Sequence, residues 1–267
     1  MRLYNSAVSG NCYKVRLLAA QLGLPLELVE MDVLDRSDRP DVLGGLNPAL
    51  RVPTLVLDDG RALGESGAIL CFLAEGTPYL PDDRYQRALV LQWLFFEQYD
   101  LEPNIAVARF WLAVSGTPER WAAELPAKQE AGYRTLAAME RHLAGRAFLV
   151  GERYTVADIA LYGYTNVAEE GGFELGRFPA VGAWLARVAF LLPQILLCGL
   201  LVPRDQMARP LELISYLLPT TYAYDALSRV AASSTVTAEV WRDAVILIGA
   251  TALSLALGAA TLRRRTA

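Results

Sequence analysis

The sequence has few residues of the kinds that build disulfide frameworks, metal centres or nucleic-acid surfaces. It holds three cysteines and one histidine in 267 residues: Cys12, Cys71, Cys198 and His142. So sparse and odd a set of cysteines gives no disulfide framework, and a lone histidine cannot build a metal site. Basic residues are fewer than acidic ones, 25 against 29, and they form no basic stripe. We therefore expect a protein of a reducing compartment, without a metal and without nucleic acid as a partner.

Charge is also scarce in the last part of the chain. Residues 1–189 carry 18 Lys and Arg against 24 Asp and Glu, a net charge of −6, whereas the remaining residues carry 7 against 5, a net of +2. The hydrophobic fraction of 54% is enough for a sizeable core, and the length fits two domains. The first part is typical of an acidic globular protein, and an apolar segment follows it.

The first 78 residues alternate between strand and helix patterns. The predicted elements are strand 1–4, helix 11–22, strand 26–31, hairpin strands 54–58 and 61–63, and helix 66–75 with Ser66 as its N-cap. Residues 36–45 are polar and predict a loop. A strand–helix–strand unit implies a parallel, right-handed crossover, and a hairpin adds antiparallel strands. A small mixed sheet flanked by helices is therefore expected.

Helical periodicity replaces the strand patterns from residue 84 to residue 188. The predicted helices cover 84–99, 118–125, 126–145 and 157–167. Thr155 and Asp158 have the spacing of a capping box, in which each side chain accepts a free backbone N–H at the helix start. The chain thus divides into an α/β domain (residues 1–78), an all-helical domain (residues 84–188) and a hydrophobic helical tail (residues 189–267).

The turn Ser9-Gly10-Asn11-Cys12 connects the first strand to the first helix. Free N–H groups and the helix dipole favour an anion at a helix start, and a thiol there can have its pKa lowered from about 8.5 to roughly 3.5–7.5. The turn therefore suits holding the thiolate of a ligand, with a plain N-cap serine as the alternative. Cys12 falls on the apolar helix face, which favours packing over a role as nucleophile.

Two further segments offer groups that suit a peptide-like ligand. If the Val52-Pro53 bond is cis, it exposes the backbone of Val52 for strand-like pairing, whereas an ordinary trans bond at a strand start is the alternative. Glu65-Ser66 opens a helix with a carboxylate, a hydroxyl and free N–H groups. That combination can hold an ammonium and a carboxylate on one ligand, or it can simply cap the helix.

In this order, the segments resemble bacterial cytosolic glutathione transferases. The motifs that resemble the glutathione-binding domain of that family are Ser9–Arg16, Asn47–Pro48, Arg51–Leu55 and Glu65–Ile69. Those that resemble its helical domain are Tyr154–Leu161, Phe178–Val181 and Trp184. The resemblance covers residues 1–188. It implies a thioredoxin-like α/β N-terminal domain followed by an all-α glutathione transferase C-terminal domain.

The resemblance also implies how glutathione is bound and activated. Ser9 matches the residue that activates the thiol, with Asn11 as a second donor. The backbone of Val52, before a cis Pro53, would pair with the cysteinyl part of glutathione.

The remaining residues implied by the resemblance contact the two ends of glutathione and the second substrate. Glu65 and Ser66 would hold the γ-glutamyl end, and Arg51 would reach the glycine carboxylate. The electrophile site is expected to be lined by three aromatic residues, which at helical spacing also fit a core: Phe96, Phe110 and Trp111.

These roles predict an enzyme that conjugates the glutathione thiolate to small hydrophobic electrophiles. Glutathione is the expected co-substrate, no metal is needed, and a homodimer is implied. A glutathione-dependent reductase or isomerase on the same fold is one alternative, because Asn11 stands beside Ser9. A non-catalytic interaction protein and a membrane-transport fragment with a passenger transferase are the others.

The tail, residues 189–267, departs from the pattern of that family. Residues 244–262 form an uncharged run of 19 residues, long enough to span a bilayer at about 1.5 Å per residue, and the arginines at 263–265 favour a cytoplasmic C-terminus. Residues 192–207 and 218–227 resemble the C-terminal end of ABC-type exporter permeases, which suggests a fusion near residues 188–190. We therefore expect a cytoplasmic location for residues 1–188, with inner-membrane contact through residues 244–262.

Overall fold

The computed structural model describes residues 1–197, 209–232 and 237–265, with side chains for residues 1–190, 209, 213–230 and 237–252. The chain falls into two units, Met1–Ala189 and Phe190–Ala267. The first unit contains all the residues expected to form the functional site, and each unit is described separately below.

A four-stranded sheet with the order β2-β1-β3-β4 forms the base of the N-terminal domain. Its strands are β1 (Arg2–Asn5), β2 (Glu27–Glu30), β3 (Thr54–Val56) and β4 (Ala62–Leu63). Strand β1 runs parallel to β2 and antiparallel to β3, and β4 completes the hairpin with β3. Leu3 of β1 pairs with Leu55 of β3 and both are fully buried. The mixed sheet is the one that the strand–helix–strand–hairpin pattern predicts.

Three helices complete this domain: α1 (Gly10–Gln21), α2 (Arg39–Leu43) and α3 (Ser66–Ala74). The predicted loop over residues 36–45 was wrong, because α2 lies within it. Pro40 stands in the first turn of α2, where its missing N–H costs no helical hydrogen bond. A helix of five residues is too short to show a periodic apolar pattern.

Among the described residues from Arg84 onwards, all regular elements are helices. Up to residue 197 they are α4 (Arg84–Phe96), a π-helical segment (Glu97–Ala106), the short α5 (Val107–Arg109), a second π-helical segment (Phe110–Val114), α6 (Leu125–Leu143), α7 (Val156–Thr165) and α8 (Pro179–Leu197). Short 3₁₀ turns connect them at Pro118–Trp121, Ala168–Gly171 and Leu175–Arg177. The sequence pattern predicted helices up to residue 99 and from residue 118, but not the helical segments between them. Pro103 interrupts the apolar pattern in this range.

The capping box of α7 is confirmed. The carboxylate of Asp158 accepts the N–H of Thr155 at 2.9 Å, and Oγ1 of Thr155 accepts the N–H of Ala157 at 3.3 Å. The same carboxylate accepts from the backbone N–H of Leu149 at 3.0 Å and the indole N–H of Trp184 at 2.9 Å. Asp158 therefore joins α7 to α8 and to the loop before α7.

The second unit contains α9 (Arg209–Ser215), α10 (Pro219–Ala232) and α11 (Ala238–Arg265). The carboxylate of Asp243 on α11 is fully buried and pairs with Arg229 of α10 and with Arg242. Within the described part of the chain, no helix combines the length and apolar character that crossing a membrane requires. The predicted span 244–262 lies within α11, but the side chains of its residues 253–262 are outside the described part of the chain, as are those of the permease-like segment 192–207.

Candidate active site

The turn before α1 places the hydroxyl of Ser9 at the start of a helix. Ser9 has extended backbone angles, and its Oγ accepts the N–H of Cys12 at 3.3 Å, so it is the N-cap of α1. Its own N–H donates to the carbonyl of Ser6 at 3.1 Å. Because a hydroxyl can accept and donate at the same time, the capping role leaves Ser9 able to donate to a ligand.

The phenol of Tyr164, on α7, lies against the same turn. Its hydroxyl accepts the N–H of Asn11 at 3.3 Å and interacts with the side chain of Ser9. Burial raises the pKa of Tyr164 well above that of an ordinary tyrosine, since water no longer stabilises the phenolate. Tyr164 is therefore a neutral hydrogen-bonding group at physiological pH. It connects the helical domain to the backbone of the Ser9 turn.

The Val52-Pro53 peptide bond is cis, as expected for a backbone that faces a peptide ligand. Asn47 holds the loop that leads to it: its Nδ2 donates to the carbonyl of Arg51 at 3.1 Å and to Oγ1 of Thr54 at 2.9 Å. The Asn47-Pro48 motif thus has a structural role in the site, because its amide fixes the ends of the segment that contains Val52.

The structure differs from the prediction at the start of α3. Ser66 is not the N-cap: Glu65 occupies that position with φ of 61° and makes no side-chain cap. A left-handed conformation at a residue other than glycine costs on the order of 1–3 kcal/mol and is concentrated at functional sites. The hydroxyl of Ser66 instead donates to Oδ1 of Asn11 at 3.2 Å, which brings the two predicted ends of the site into direct contact.

These segments surround one cavity of about 410 Å³ between the α/β and helical domains of the first unit. The predicted residues that line it are Ser9, Asn11, Arg51, Val52, Pro53, Glu65, Ser66, Phe110 and Trp111. All of the residues predicted to bind glutathione, and two of the three predicted for the electrophile, therefore face the same space. A helix start, an exposed peptide backbone and a carboxylate–hydroxyl pair together suit a short peptide carrying a thiol.

Comparisons with known proteins also point to a protein that binds a thiol peptide. Residues 3–79 match the family model of the glutathione S-transferase N-terminal domain, and residues 103–191 match that of the C-terminal domain. A solved glutathione S-transferase from Pseudomonas fluorescens is 47% identical, with a TM-score of 0.68, and the match covers 70% of this chain and 93% of that one. The chain belongs to the glutathione S-transferase family.

Two further relatives show the range of this transferase family. A sphingomonad glutathione S-transferase solved in complex with glutathione is 29% identical, with a TM-score of 0.59, over 71% of this chain and 92% of that chain. The disulfide-bond oxidoreductase YfcG of Escherichia coli is 29% identical over 68% of this chain and 87% of its own length. The match to the C-terminal domain model ends at residue 191. The comparisons support neither the permease resemblance of residues 189–267 nor a specifically bacterial subgroup.

Phe96, the third residue predicted for the electrophile site, lies outside the cavity lining. Its ring packs edge-on against Trp93 with centroids 5.1 Å apart, and Trp93 packs in the same way against His142 at 4.6 Å. Phe96 does not line the cavity. Residue spacing could not separate it from Phe110 and Trp111, because the π-helical segments after Phe96 change which side chains face the N-terminal domain.

Sequence reasoning missed several polar residues that also line the cavity. They are Arg36, Arg39, Gln98, Glu102, Arg109 and Tyr164. With Arg51, the cavity presents four guanidinium groups against the carboxylates of Glu65 and Glu102, so its field favours an anionic ligand. Burial raises the pKa of Glu102, opposed by Lys14 and Arg51. No sequence motif marks these positions, and only the folded chain brings them together.

Cys12 does not face the cavity. The residue is fully buried, and its Sγ accepts the N–H of Ser6 at 3.4 Å. Burial raises the pKa of the Cys12 thiol, which disfavours the thiolate that a nucleophile requires. The geometry therefore agrees with a packing role for Cys12.

Proposed function

We propose that this chain conjugates glutathione to small hydrophobic electrophiles, with Ser9 and Asn11 stabilising the glutathione thiolate. The observation that carries the proposal is the placement of both side chains in the cavity, at the start of α1. The helix start lowers a thiol pKa by favouring the anion. A hydrogen bond to a charged group adds about 1.5–3 kcal/mol. The site therefore favours the nucleophilic form of a bound thiol at neutral pH.

The other cavity residues match the shape of glutathione from end to end. The backbone of Val52 pairs with the cysteinyl residue, and Glu65 with Ser66 holds the ammonium and carboxylate of the γ-glutamyl end. The glycine carboxylate lies towards Arg51 and Arg39. Arg39 supports this placement, since it is buried, lines the cavity and has an Nε without a partner among the described residues. An anion would satisfy that donor.

The electrophile occupies the part of the cavity formed by the helical domain. Phe110 and Trp111 line it together with Val107 and Val114, and the indole of Trp111 is fixed by parallel stacking on Trp121, with centroids 4.8 Å apart. The thiolate sulfur forms a bond to the electrophilic carbon, and the leaving group departs with its electron pair. Aromatic walls favour a flat, apolar electrophile over a charged one.

The test is the titration of the bound thiol. Glutathione bound to the full chain should show ultraviolet thiolate absorbance at a pH well below that of free glutathione. Ser9→Ala should raise the pKa of the bound thiol by about 1–2 units, as expected from the loss of a charged hydrogen bond, and slow conjugation of chlorodinitrobenzene. Ser9→Thr, which keeps a hydroxyl, is the matched control. A bound thiol that titrates like free glutathione in the unaltered chain would overturn the proposal.

Disulfide reduction is a second candidate function, favoured by the likeness to YfcG and by the amide of Asn11 beside Ser9. Here the thiolate attacks one sulfur of a disulfide and a second glutathione resolves the mixed disulfide. Two glutathione molecules are thus oxidised to one glutathione disulfide while the substrate is reduced to two thiols. Parallel assays with chlorodinitrobenzene and with hydroxyethyl disulfide distinguish the candidates, because the substrate with the larger kcat/KM identifies the activity. If the chain is a reductase, Asn11→Ala should lower the rate of disulfide reduction more than the rate of conjugation.

We also propose that the chain forms a homodimer through α3 and α4. The exposed large apolar side chains here include Phe72 of α3, Leu91 and Phe95 of α4, and Tyr99 of the π-helical segment that follows α4. Leu91 and Phe95 of α4 and Tyr99 of the following π-helical segment stand at intervals of four residues, which places them on one side of this helical stretch. Phe95 is 71% exposed and Tyr99 83%. An apolar stripe of this kind marks an interaction surface, and a second copy would cover it with an identical stripe.

A further inference from the structure

A buried ion pair lies directly under the Ser9 turn, and the proposed function makes no use of it. Nζ of Lys14, on α1, is 2.6 Å from Oε1 of Glu97, at the start of the first π-helical segment. The side chain of Lys14 is 0% exposed and that of Glu97 is 3%. Moving two charges out of water carries a large desolvation cost that ion pairing offsets only in part. A purely apolar contact would tie these helices together without that cost.

The ammonium of Lys14 is shared between Glu97 and the active site. It donates to Oδ1 of Asn11 at 2.7 Å and lies 5.2 Å from the centre of the Tyr164 ring. Ser66 donates to the same amide oxygen at 3.2 Å. Only the oxygen of an amide can accept from an ammonium and a hydroxyl, so these two donors determine which way round the Asn11 amide stands.

This orientation leaves the amide N–H donors of Asn11 for a ligand. Asn11 lines the cavity, and among the described residues none accepts a hydrogen bond from its Nδ2. Because Oδ1 accepts the hydrogen bond from Lys14, the NH₂ group is the part of the amide that is available to a ligand in the cavity. A cation bonded to the amide oxygen also polarises the amide and strengthens its N–H groups as donors.

We propose that Lys14 is a positioning residue for thiol activation: it fixes and polarises the Asn11 amide, so that the amide donates to the sulfur of bound glutathione. The inference rests on the proposed function. Lys14 does not touch the substrate and acts through Asn11. Glu97, from the helical domain, holds the ammonium in place, so that thiol activation requires both domains to be docked.

The side chain of Lys14 reaches this position through a space that depends on a glycine of α7. A Cβ on Gly163 would stand 2.8 Å from Cγ of Lys14 and 3.2 Å from the carbonyl oxygen of Gly10, so glycine on α7 leaves the space through which the lysine stem runs. The charged and titratable groups around the ammonium are Glu97, Glu102 and Tyr164. Burial raises the pKa of Glu97, and the ammonium of Lys14 opposes this.

A double substitution separates this role from simple structural pairing. Lys14→Met with Glu97→Met removes both charges and keeps apolar volume, a type of exchange that is often neutral or stabilising for folding. We expect the pKa of bound glutathione to rise by about 0.5–1 unit in this variant, in the range of a single nearby charge or hydrogen bond. In an Asn11→Ala background the same double substitution should produce no further rise, because Lys14 then has no amide to act through.

A second variant keeps the ammonium and removes its counter-charge. Glu97→Gln retains an acceptor for Lys14, so the pKa of the bound thiol should stay at or below that of the unaltered chain. The inference is overturned if the double variant keeps the original thiol pKa, if its shift persists in the Asn11→Ala background, or if Glu97→Gln raises the thiol pKa as much as the double variant does. In contrast, an unaltered chain whose bound thiol titrates as in free glutathione contradicts the proposed function itself.

Discussion

Gly10 and Tyr164 are in contact so close that no other residue fits at position 10 without movement. A Cβ on Gly10 would stand 2.5 Å from Cε1 of the Tyr164 ring, and Tyr164 is only 7% exposed. The contact brings α1 and α7 together directly beneath the Ser9 turn. The position of the turn, and hence of the Ser9 hydroxyl, depends on this contact between the two domains.

The first prediction concerns this contact. Gly10→Ala should push the Tyr164 ring and the Ser9 turn apart, destabilise the chain by about 1–3 kcal/mol as overpacked sites do, and weaken glutathione binding. Calorimetric titration with glutathione and thermal unfolding measure the two effects. Gly45→Ala is the matched control, because a Cβ at Gly45 has no neighbour within 4 Å. Equal behaviour of the two variants would show that the contact is not needed.

The second prediction concerns Cys12. Cys12→Ala should keep kcat/KM within about threefold, because the buried sulfur contributes packing and one weak hydrogen bond rather than chemistry. A modest fall in Tm should accompany it. Iodoacetamide should modify the partly exposed Cys71 of the native chain faster than Cys12, whose thiol is enclosed. A loss of conjugation with unchanged Tm would instead identify Cys12 as the nucleophile.

The third prediction follows from the buried phenol of Tyr154. Its hydroxyl accepts from Nε2 of Gln21 at 3.2 Å, and burial raises its pKa above the usual value of 10. The folded chain holds this proton more tightly than the unfolded chain does. The resulting stability is therefore fully present below pH 10 and is lost as the pH rises towards the folded-state pKa.

Comparison with Tyr154→Phe isolates this effect. The variant should be about 1–2 kcal/mol less stable near neutral pH, because the Gln21 amide loses its partner. Since phenylalanine cannot ionise, the Tm difference between the two chains should narrow as the pH rises above about 10. A Tm difference that stays constant or widens over that range would show that Tyr154 ionises at least as readily in the folded chain as in the unfolded one.

The fourth prediction concerns the dimer. Phe95→Glu places a charge in the centre of the apolar stripe formed by Leu91, Phe95 and Tyr99, and burying it against a second copy would be costly. Light scattering should therefore show twice the chain mass for the unaltered protein and one chain mass for the variant. Leu28→Glu, at an apolar position on β2 that is 50% exposed, should leave the mass unchanged. A unaltered chain that is already monomeric would contradict the proposal.

The local order of elements in the N-terminal domain could be predicted from the sequence because each depends on nearby residues. Alternating apolar residues predict β1 and β2, and the capping residues Thr155 and Asp158 predict the start of α7. Glu65 shows the limit of such reasoning. Its left-handed backbone depends on the packing of the whole loop, so the sequence placed the cap one residue too late, at Ser66.

The same limit applies to charged residues. A lysine on an amphipathic helix is ordinarily expected on the solvent side, and nothing near Lys14 in the sequence marks its partner. Glu97 lies 83 residues further along, near the end of the helix predicted over residues 84–99. Arg39 and Tyr164 were missed for the same reason, since their place in the site results from long-range folding and leaves no local pattern.

The pairing of Lys14 with Glu97 restricts how this protein can be recombined with its relatives. A chimera that joins residues 1–78 to the helical half of a relative without an acid at the equivalent of position 97 would enclose a lone ammonium beneath the thiol site. Leaving one member of a buried pair without its partner typically costs about 3–5 kcal/mol. The two halves are therefore not interchangeable modules, and exchange between relatives should succeed only where both residues are inherited together.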